Sequence, residues 1–328
     1  MKKGTRMLLV GSGIAAAGMT VVSTASYALA QKLVEVALDR EEPRVLARNR
    51  ERVSGRMDHG EFFSHAAKAA ERLESTVTRT VEIRSHDGLR LVGHWRGCSG
   101  AKRAVVAMHG WRSSWNWDFG MISDALTELG CSVLYAEQRG QNGSEGDHMT
   151  FGMLERLDCL AWAKWVVEQT GGRLPVYLAG LSMGATTVLM AGGLELPVQV
   201  RGIVADCGFT SPAKIFRHVI DNDLKIRYGL PDRLVDRVCR KRIHMGAGEC
   251  SATEALKRCQ VPVLFVHGTE DVLVPVTMSY ENYSACASRK RLFVVPGAGH
   301  GESFHTDPEG YRQELELFFR QCEQEWGL

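Results

Sequence analysis

The sequence predicts an α/β fold, with a mostly parallel eight-stranded sheet flanked by helices. Three observations carry that expectation. From about residue 76 to the C terminus, short apolar runs alternate with longer segments of helical period. The central runs, such as Ala104–Met108 and Cys131–Ala136, are apolar almost throughout, as strands covered on both faces are. A Gly-x-Ser-x-Gly pentapeptide, Gly180 to Gly184, stands where one such strand gives way to a helix.

The elements follow in order. Val77–Arg84 and Leu89–Arg96 alternate apolar and polar residues around His86-Asp87-Gly88, which predicts an antiparallel hairpin. Further strands are expected at Ala104–Met108, Cys131–Ala136, Val176–Ala179, Val200–Ala205, Val261–Val266 and Leu292–Val295. Helices are expected at Phe119–Leu129, Leu154–Gln169, Met183–Leu194 and Pro308–Gln324. The stretch from Phe209 to Gln260 is too long for a plain connection and predicts a helical cap at 209–260. The cap carries eleven Lys or Arg against six Asp or Glu. Solvated helix faces explain such an excess. A surface for anionic lipid or an anionic substrate is the sharper alternative.

The first 30 residues read as a membrane anchor or signal segment. Lys2, Lys3 and Arg6 precede 24 uncharged residues, Met7 to Ala30. A helix needs roughly 20 such residues to cross a bilayer. Ala28-Leu29-Ala30 has the small-x-small form of a cleavage site. The length favours an uncleaved single-pass helix at residues 7–30, with the catalytic domain outside the cytoplasm; the alternative is secretion after cleavage near Ala30. Gly11-Ser-Gly13-Ile-Ala-Ala16, with Asp39 downstream, mimics a dinucleotide fingerprint. The helix after it lacks a polar face, and no further βαβ units follow, so that reading is set aside. Residues 31–75 predict a connector of two helices, and 76–328 the catalytic domain.

Composition narrows the function. Lys and Arg number 40 against 38 Asp and Glu, and no basic block is interleaved with aromatics, so nucleic acid is not expected as a partner. The nine cysteines form no Cys-x-x-Cys pair, which removes the zinc-ribbon and thioredoxin readings. Their odd number argues against a complete disulfide framework, and they read as small buried hydrophobes.

The chemistry centres on Ser182. A serine hydroxyl needs a base to take its proton and an acid behind that base. In the chain order Ser, Asp, His these are Asp271, after a predicted strand, and His300, after the last one. Glu270 is the alternative acid and His305 the alternative base. His267 reads as structural. The oxyanion of an acyl-transfer intermediate needs two amide donors. Met183 supplies one, next to the nucleophile, and Trp111 of His109-Gly-Trp111 the other. His109 reads as a structural residue of that loop. Trp115 and Trp117 are candidate walls of an acyl or aromatic pocket, with ordinary packing the alternative.

From about Val77 onward the chain resembles the α/β-hydrolase superfamily. The residues that carry the resemblance are His109-Gly-Trp111, Gln138-Arg139-Gly140, Ser144-Glu145-Gly146, Gly180 to Gly184, Asp271 and His300. More narrowly it resembles bacterial membrane-anchored hydrolases described as lysophospholipase-like or acylaminoacyl-peptidase-like. Phe151-Gly152, Glu155-Arg156, Asp158, Trp162 and Asp206 to Ser211 are further marks. The family usually has Asp where Glu137 stands, and often His-Gly at Gln141-Asn142. The resemblance implies a serine hydrolase of small-molecule or lipid-like esters, needing no metal or cofactor. An amidase or peptidase on the same triad, or a non-catalytic binding module, are the competing readings.

Overall fold

The computed structural model describes residues 26–41, 60–77, 79–223 and 232–324. Helix α1 covers 26–38, and α2 runs from Gly60 to Thr76. The sheet order is β1-β2-β4-β3-β5-β6-β7-β8. Strands β1 (Arg79–Arg84) and β2 (Arg90–Arg96) form the hairpin, and β2 runs antiparallel to β4 (Cys131–Ala136). The other five are parallel neighbours: β3 (Arg103–Met108), β5 (Val176–Leu181), β6 (Val200–Asp206), β7 (Val263–Gly268) and β8 (Lys290–Val295).

The sequence explains which strand sits where. Every residue of β3, β4 and β7 is buried, matching their unbroken apolar runs. Edge strand β1 keeps Arg79, Glu82 and Arg84, charges that discourage further strand pairing. Alternate residues of one strand feed opposite layers. Val106 and Met108 pack with α5 (Glu155–Gln169) and α6 (Met183–Ala191), through Trp162 and Val188. Val105 and Ala107 join the other layer. It holds α2, α3 (Trp115–Phe119), α4 (Ser123–Glu128) and, through Leu315 and Phe318, the C-terminal helix.

The single helix expected over Phe119–Leu129 is instead α3 and α4, broken at Gly120. A Cβ on Gly120 would lie 2.7 Å from the Ala70 amide nitrogen of α2. The break marks where a helix from 50 positions upstream crosses at backbone contact, and local periodicity cannot report that.

Between β6 and β7 stand α7 (Pro212–His218), continued by a π turn over Val219–Asp223, then α8 (Asp232–Ile243) and α9 (Ala252–Leu256). A third apolar cluster joins this segment to α1 and to the ends of the strands, through Leu38, Phe151, Phe209, Ile215, Val238 and Ile243. Helices α10 (Val276–Ala285), α11 (Ser303–Thr306) and α12 (Pro308–Gln324) complete the chain.

Residues 7–25 of the expected membrane segment lie outside the described residues, as does the glycine-rich decoy. Among the described residues no helix is long and apolar enough to cross a membrane. The expected boundary at residue 30 falls inside α1, and Ala30 is fully buried.

Candidate active site

The loops that carry the candidate residues leave the carboxyl ends of adjacent parallel strands, where open α/β sheets present their crevice. Strands β3 and β5 are neighbours although β4 lies between them in sequence, so the loops after them face each other. Ser182 follows β5 directly, and Trp111 stands in the loop after β3.

The pentapeptide spelling has a steric cause. Ser182 has φ 56° and ψ −116°, a backbone conformation that costs a non-glycine residue about 1–3 kcal/mol. A Cβ on Gly180 would sit 2.2 Å from the Gly184 carbonyl oxygen. Only glycines let the strand, the turn and the helix pass this closely. The side chain of Ser182 is thereby lifted clear of the sheet. Its carbonyl accepts the Thr186 amide at 3.1 Å and begins α6.

The structure brings Ser182, His300 and Asp271 together. Ser182 Oγ lies 2.9 Å from His300 Nε2, and His300 Nδ1 lies 2.7 Å from Asp271 Oδ2. An ionised carboxylate can only accept, so Nδ1 carries the proton and Nε2 is free to take the serine's. Asp271 Oδ1 also accepts the Leu273 and Val274 amides at 3.0 and 2.8 Å. Burial by itself raises the Asp271 carboxyl. Hydrogen bonds from His267 and His300 and the charge of His300 outweigh it, and the group stays well below the ordinary carboxylate range.

Among the other candidates, Glu270 is exposed and contributes only its amide, to Ala298. His305 stacks edge-on against Phe62 of α2, ring centroids 5.2 Å apart, and makes no contact with Ser182. His267 is closer to the chemistry than its strand-end position suggests. Its Nε2 faces two acceptors, Asp271 Oδ2 at 3.1 Å and the Val274 carbonyl at 2.8 Å, while Nδ1 lies 2.6 Å from Ser279 Oγ. The proton therefore sits on Nε2, and Ser279 donates to Nδ1. Sequence reasoning missed this second donor; its sign was the i, i+4 spacing of His267 and Asp271 across a returning loop.

Among the described residues, the backbone–backbone bonds of turns and loops do not include the amides of Trp111 and Met183. Met183 opens α6, so its amide is one of the helix's unpaired donors. The loop before Trp111 is fixed from below. His109 is fully buried, its Nδ1 2.8 Å from the Gly110 carbonyl, and its Nε2 accepts the Gln138 amide at 3.1 Å. Burial pushes this imidazole toward the neutral form. Asp118 then takes the Gly110 amide at 2.6 Å and the Ser113 hydroxyl at 2.5 Å.

Trp115 and Trp117, for which the sequence leaves a pocket wall and ordinary packing both open, make packing contacts. Trp115 is buried in the core, stacked on His94 at 4.2 Å, and Trp117 tilts against Phe63 of α2 at 5.9 Å. The aromatic residues gathered near the crevice are Trp111, Phe151, Phe209 and Phe216. Cys207 sits beside Asp271 and His300, its sulfur within 4.8 Å of ligand-type atoms of both. Burial pushes its thiol well above the usual value, which favours the neutral form. All nine cysteines are free.

The marks that carried the resemblance have structural work. Arg139 forms a two-pronged ion pair with Asp158, both contacts 2.6 Å, and a third contact to Asp87 at 2.8 Å ties the hairpin turn to α5. Glu155 accepts the Thr150 and Gly152 amides at 2.6 and 2.9 Å, closing the turn into α5. Glu137, the departure from Asp, uses its longer reach to join His94 at 2.7 Å and the Gly143 amide.

Comparisons with known proteins bear on the fold and the family. The profile of the Alpha/beta hydrolase family matches residues 105–314. The chain is 26% identical to the YqkD protein of Bacillus subtilis over 195 residues, which span 58% of this chain and 63% of that one. It is 30% identical to the Rv2307c protein of Mycobacterium tuberculosis over 241 residues, 70% of this chain and 73% of the other. Among solved structures, an esterase of Pyrococcus furiosus superposes with a TM-score of 0.59 at 23% identity, over 74% of this chain and 92% of the esterase. The acylaminoacyl peptidase of Pyrococcus horikoshii gives 0.56 at 17% identity, over 75% of this chain and 41% of the peptidase. The chain belongs to the alpha/beta hydrolase family.

Proposed function

We propose that the protein hydrolyses carboxylic esters through an acyl-enzyme, with Ser182 as nucleophile, His300 as base and Asp271 as its orienting acid. The observation that carries this is the unbroken chain from Ser182 Oγ to His300 at 2.9 Å and on to Asp271 at 2.7 Å. His300 Nε2 takes the hydroxyl proton as Ser182 Oγ attacks the acyl carbonyl. Asp271 holds the tautomer and stabilises the imidazolium. The Trp111 and Met183 amides hold the tetrahedral oxyanion. His300 then protonates the departing alcohol. Water, deprotonated by the same imidazole, attacks the acyl-enzyme and releases the acid.

An apolar acyl group suits the surroundings. Trp111, Phe151, Met183 and Phe209 belong to one apolar cluster above the strand ends. Val272 and Leu273, next to Asp271, are exposed. We further place the catalytic domain outside the cytoplasm, on an uncleaved anchor supplied by the part of the 7–30 segment that precedes α1. Cleavage near Ala30 would cut through α1, whose Ala30, Val34 and Leu38 are buried against the domain. The basic cap residues support lipid contact less than their number suggests. Arg240 pairs with Asp236 and Glu249, and Arg242 with Asp39, which leaves Lys241 exposed between them.

The test is hydrolysis of p-nitrophenyl esters of increasing acyl length by the full chain, beside Ser182→Ala. Serine-dependent turnover supports the reading, and the preferred length sizes the acyl pocket. Turnover of anilides but not esters would replace it with an amidase.

A further inference from the structure

Two consecutive residues of the loop after β3 end on a helix more than 70 positions upstream. Trp111 Nε1 donates to the Ala37 carbonyl at 2.8 Å. The Arg112 guanidinium donates to the carbonyls of Val36 at 3.1 Å and Asp39 at 2.6 Å. These carbonyls close the last turn of α1 and its exit. A helix leaves such groups without partners, and they carry its partial negative charge. One loop therefore caps α1 with an indole and a cation.

The contact also bears on the loop's own backbone. Arg112 has φ 49°, in the left-handed region that residues with a side chain enter only when their surroundings impose it. From the other side Asp118 holds Gly110 and Ser113. The peptide that presents the Trp111 amide is thus clamped between Asp118 below and α1 above.

Helix α1 is itself firmly seated. Ala30, Val34 and Leu38 are buried in the cluster that contains Phe151, Phe209 and Val238. Asp39 pairs with Arg242 of α8. The Arg40 guanidinium reaches the carbonyls of Asn142 and Ser144, both at 2.6 Å. The Leu38 carbonyl accepts the Met149 amide at 2.7 Å.

We propose that α1 is a positioning element of the active site, and that Arg112 and the Trp111 indole are the positioning groups through which it aims the Trp111 amide at the oxyanion. The proposal rests on the ester-hydrolase reading. Oxyanion donors act only when aimed at where charge develops, and a displacement of a fraction of an ångström weakens them. That charge exists only in the transition state, so loosening α1 lowers kcat and leaves KM nearly unchanged. The same helix directly follows the uncharged run that precedes residue 26, so it links the expected anchor to the oxyanion loop.

The experiment uses the full chain with Arg112→Met, Arg112→Lys and Trp111→Phe, and Arg312→Gln as a control in an exposed pair with Glu128, away from α1. Steady-state hydrolysis of a p-nitrophenyl ester is measured beside amide hydrogen exchange over 30–39. Arg112→Met is expected to lower kcat about tenfold or more, with KM within about twofold. Exchange over 30–39 should quicken in the same variant. Arg112→Lys should recover part of kcat through its charged ammonium, which keeps the cation but lacks the planar fork. Arg312→Gln should match the wild type in both readouts. Faster exchange with unchanged kcat, or a change in KM alone, would overturn the proposal by making the contact purely structural. If Arg112→Met does not fold, Trp111→Phe, which removes one N–H, is judged by the same criteria. Failure of the hydrolase reading looks different: the wild type would be no more active than Ser182→Ala, and the proposal would fall with it.

Discussion

The α-carbon of Gly184 faces the carbonyl oxygen of Met108 so closely that a Cβ there would stand 1.8 Å from it. The first turn of α6 and the end of β3 therefore meet at backbone contact. This is what places the Met183 amide beside the loop that carries Trp111. Neither backbone can yield 1 Å or more without breaking the β3–β5 pairing. We expect Gly184→Ala to fold poorly, or to fold with the elbow displaced and ester hydrolysis reduced by at least about a hundredfold, the scale of losing one oxyanion donor. Circular dichroism and kcat on the same preparation check this. A well-folded, fully active Gly184→Ala protein would contradict the packing described.

His267 supplies a second donor to Asp271 from beneath, at 3.1 Å, and binds the Val274 carbonyl and Ser279 as well. His267→Phe removes all three contacts and leaves the buried Val274 carbonyl and Ser279 hydroxyl without these partners. The expected cost is about 1–3 kcal/mol of stability for each orphaned group. Asp271 keeps its bonds to His300 and to the Leu273 and Val274 amides, so turnover should fall only about tenfold, as for a lost supporting bond rather than a lost acid. Thermal melting and kcat together separate the two effects. A drop as deep as that of Asp271→Ala would make His267 a member of the triad itself.

The Asp271 carboxyl also sets a pH dependence. Its folded-state value lies below that of the unfolded chain, because hydrogen bonds to His267 and His300 overcome the burial that raises it. The stability it contributes is fully present above the unfolded value of about 3.9 and is lost as the pH falls through the folded value. Asp206 works in the opposite sense, since burial raises its carboxyl despite the Ser303 hydroxyl at 3.0 Å. Its contribution is present at low pH and lost as the pH rises. Comparing wild type with Asp271→Asn isolates the first group. The difference in urea midpoint should be constant above about pH 5 and shrink below about pH 4. A gap that widens toward acid would reverse the assignment.

Much of this was legible in the sequence because the signals were local. Unbroken apolar runs marked the strands buried on both faces, and the glycines flanking Ser182 announced the elbow before any contact was known. Asp271 and His300 could be placed by chain order and by the strands preceding them. What escaped was contact between distant segments. The break at Gly120 depends on α2 crossing it. The packing of Trp115 on His94 and of Trp117 on Phe63 depends on elements that the loop sequence does not mention. Residues 31–41 looked like a connector, because nothing local shows that the end of α1 receives the side chains of Trp111 and Arg112. The excess of basic residues in the cap was countable, but not that Arg242 would find Asp39.

The central claim is that Ser182, activated by His300, performs the hydrolysis, and one comparison tests it most directly. The rate of p-nitrophenyl ester hydrolysis by the full chain is measured beside that of Ser182→Ala under identical conditions. The account predicts a fall of at least about a thousandfold, the scale seen when a triad nucleophile is removed. Turnover within tenfold of the wild type would contradict it, and would move the chemistry to some other group of this chain.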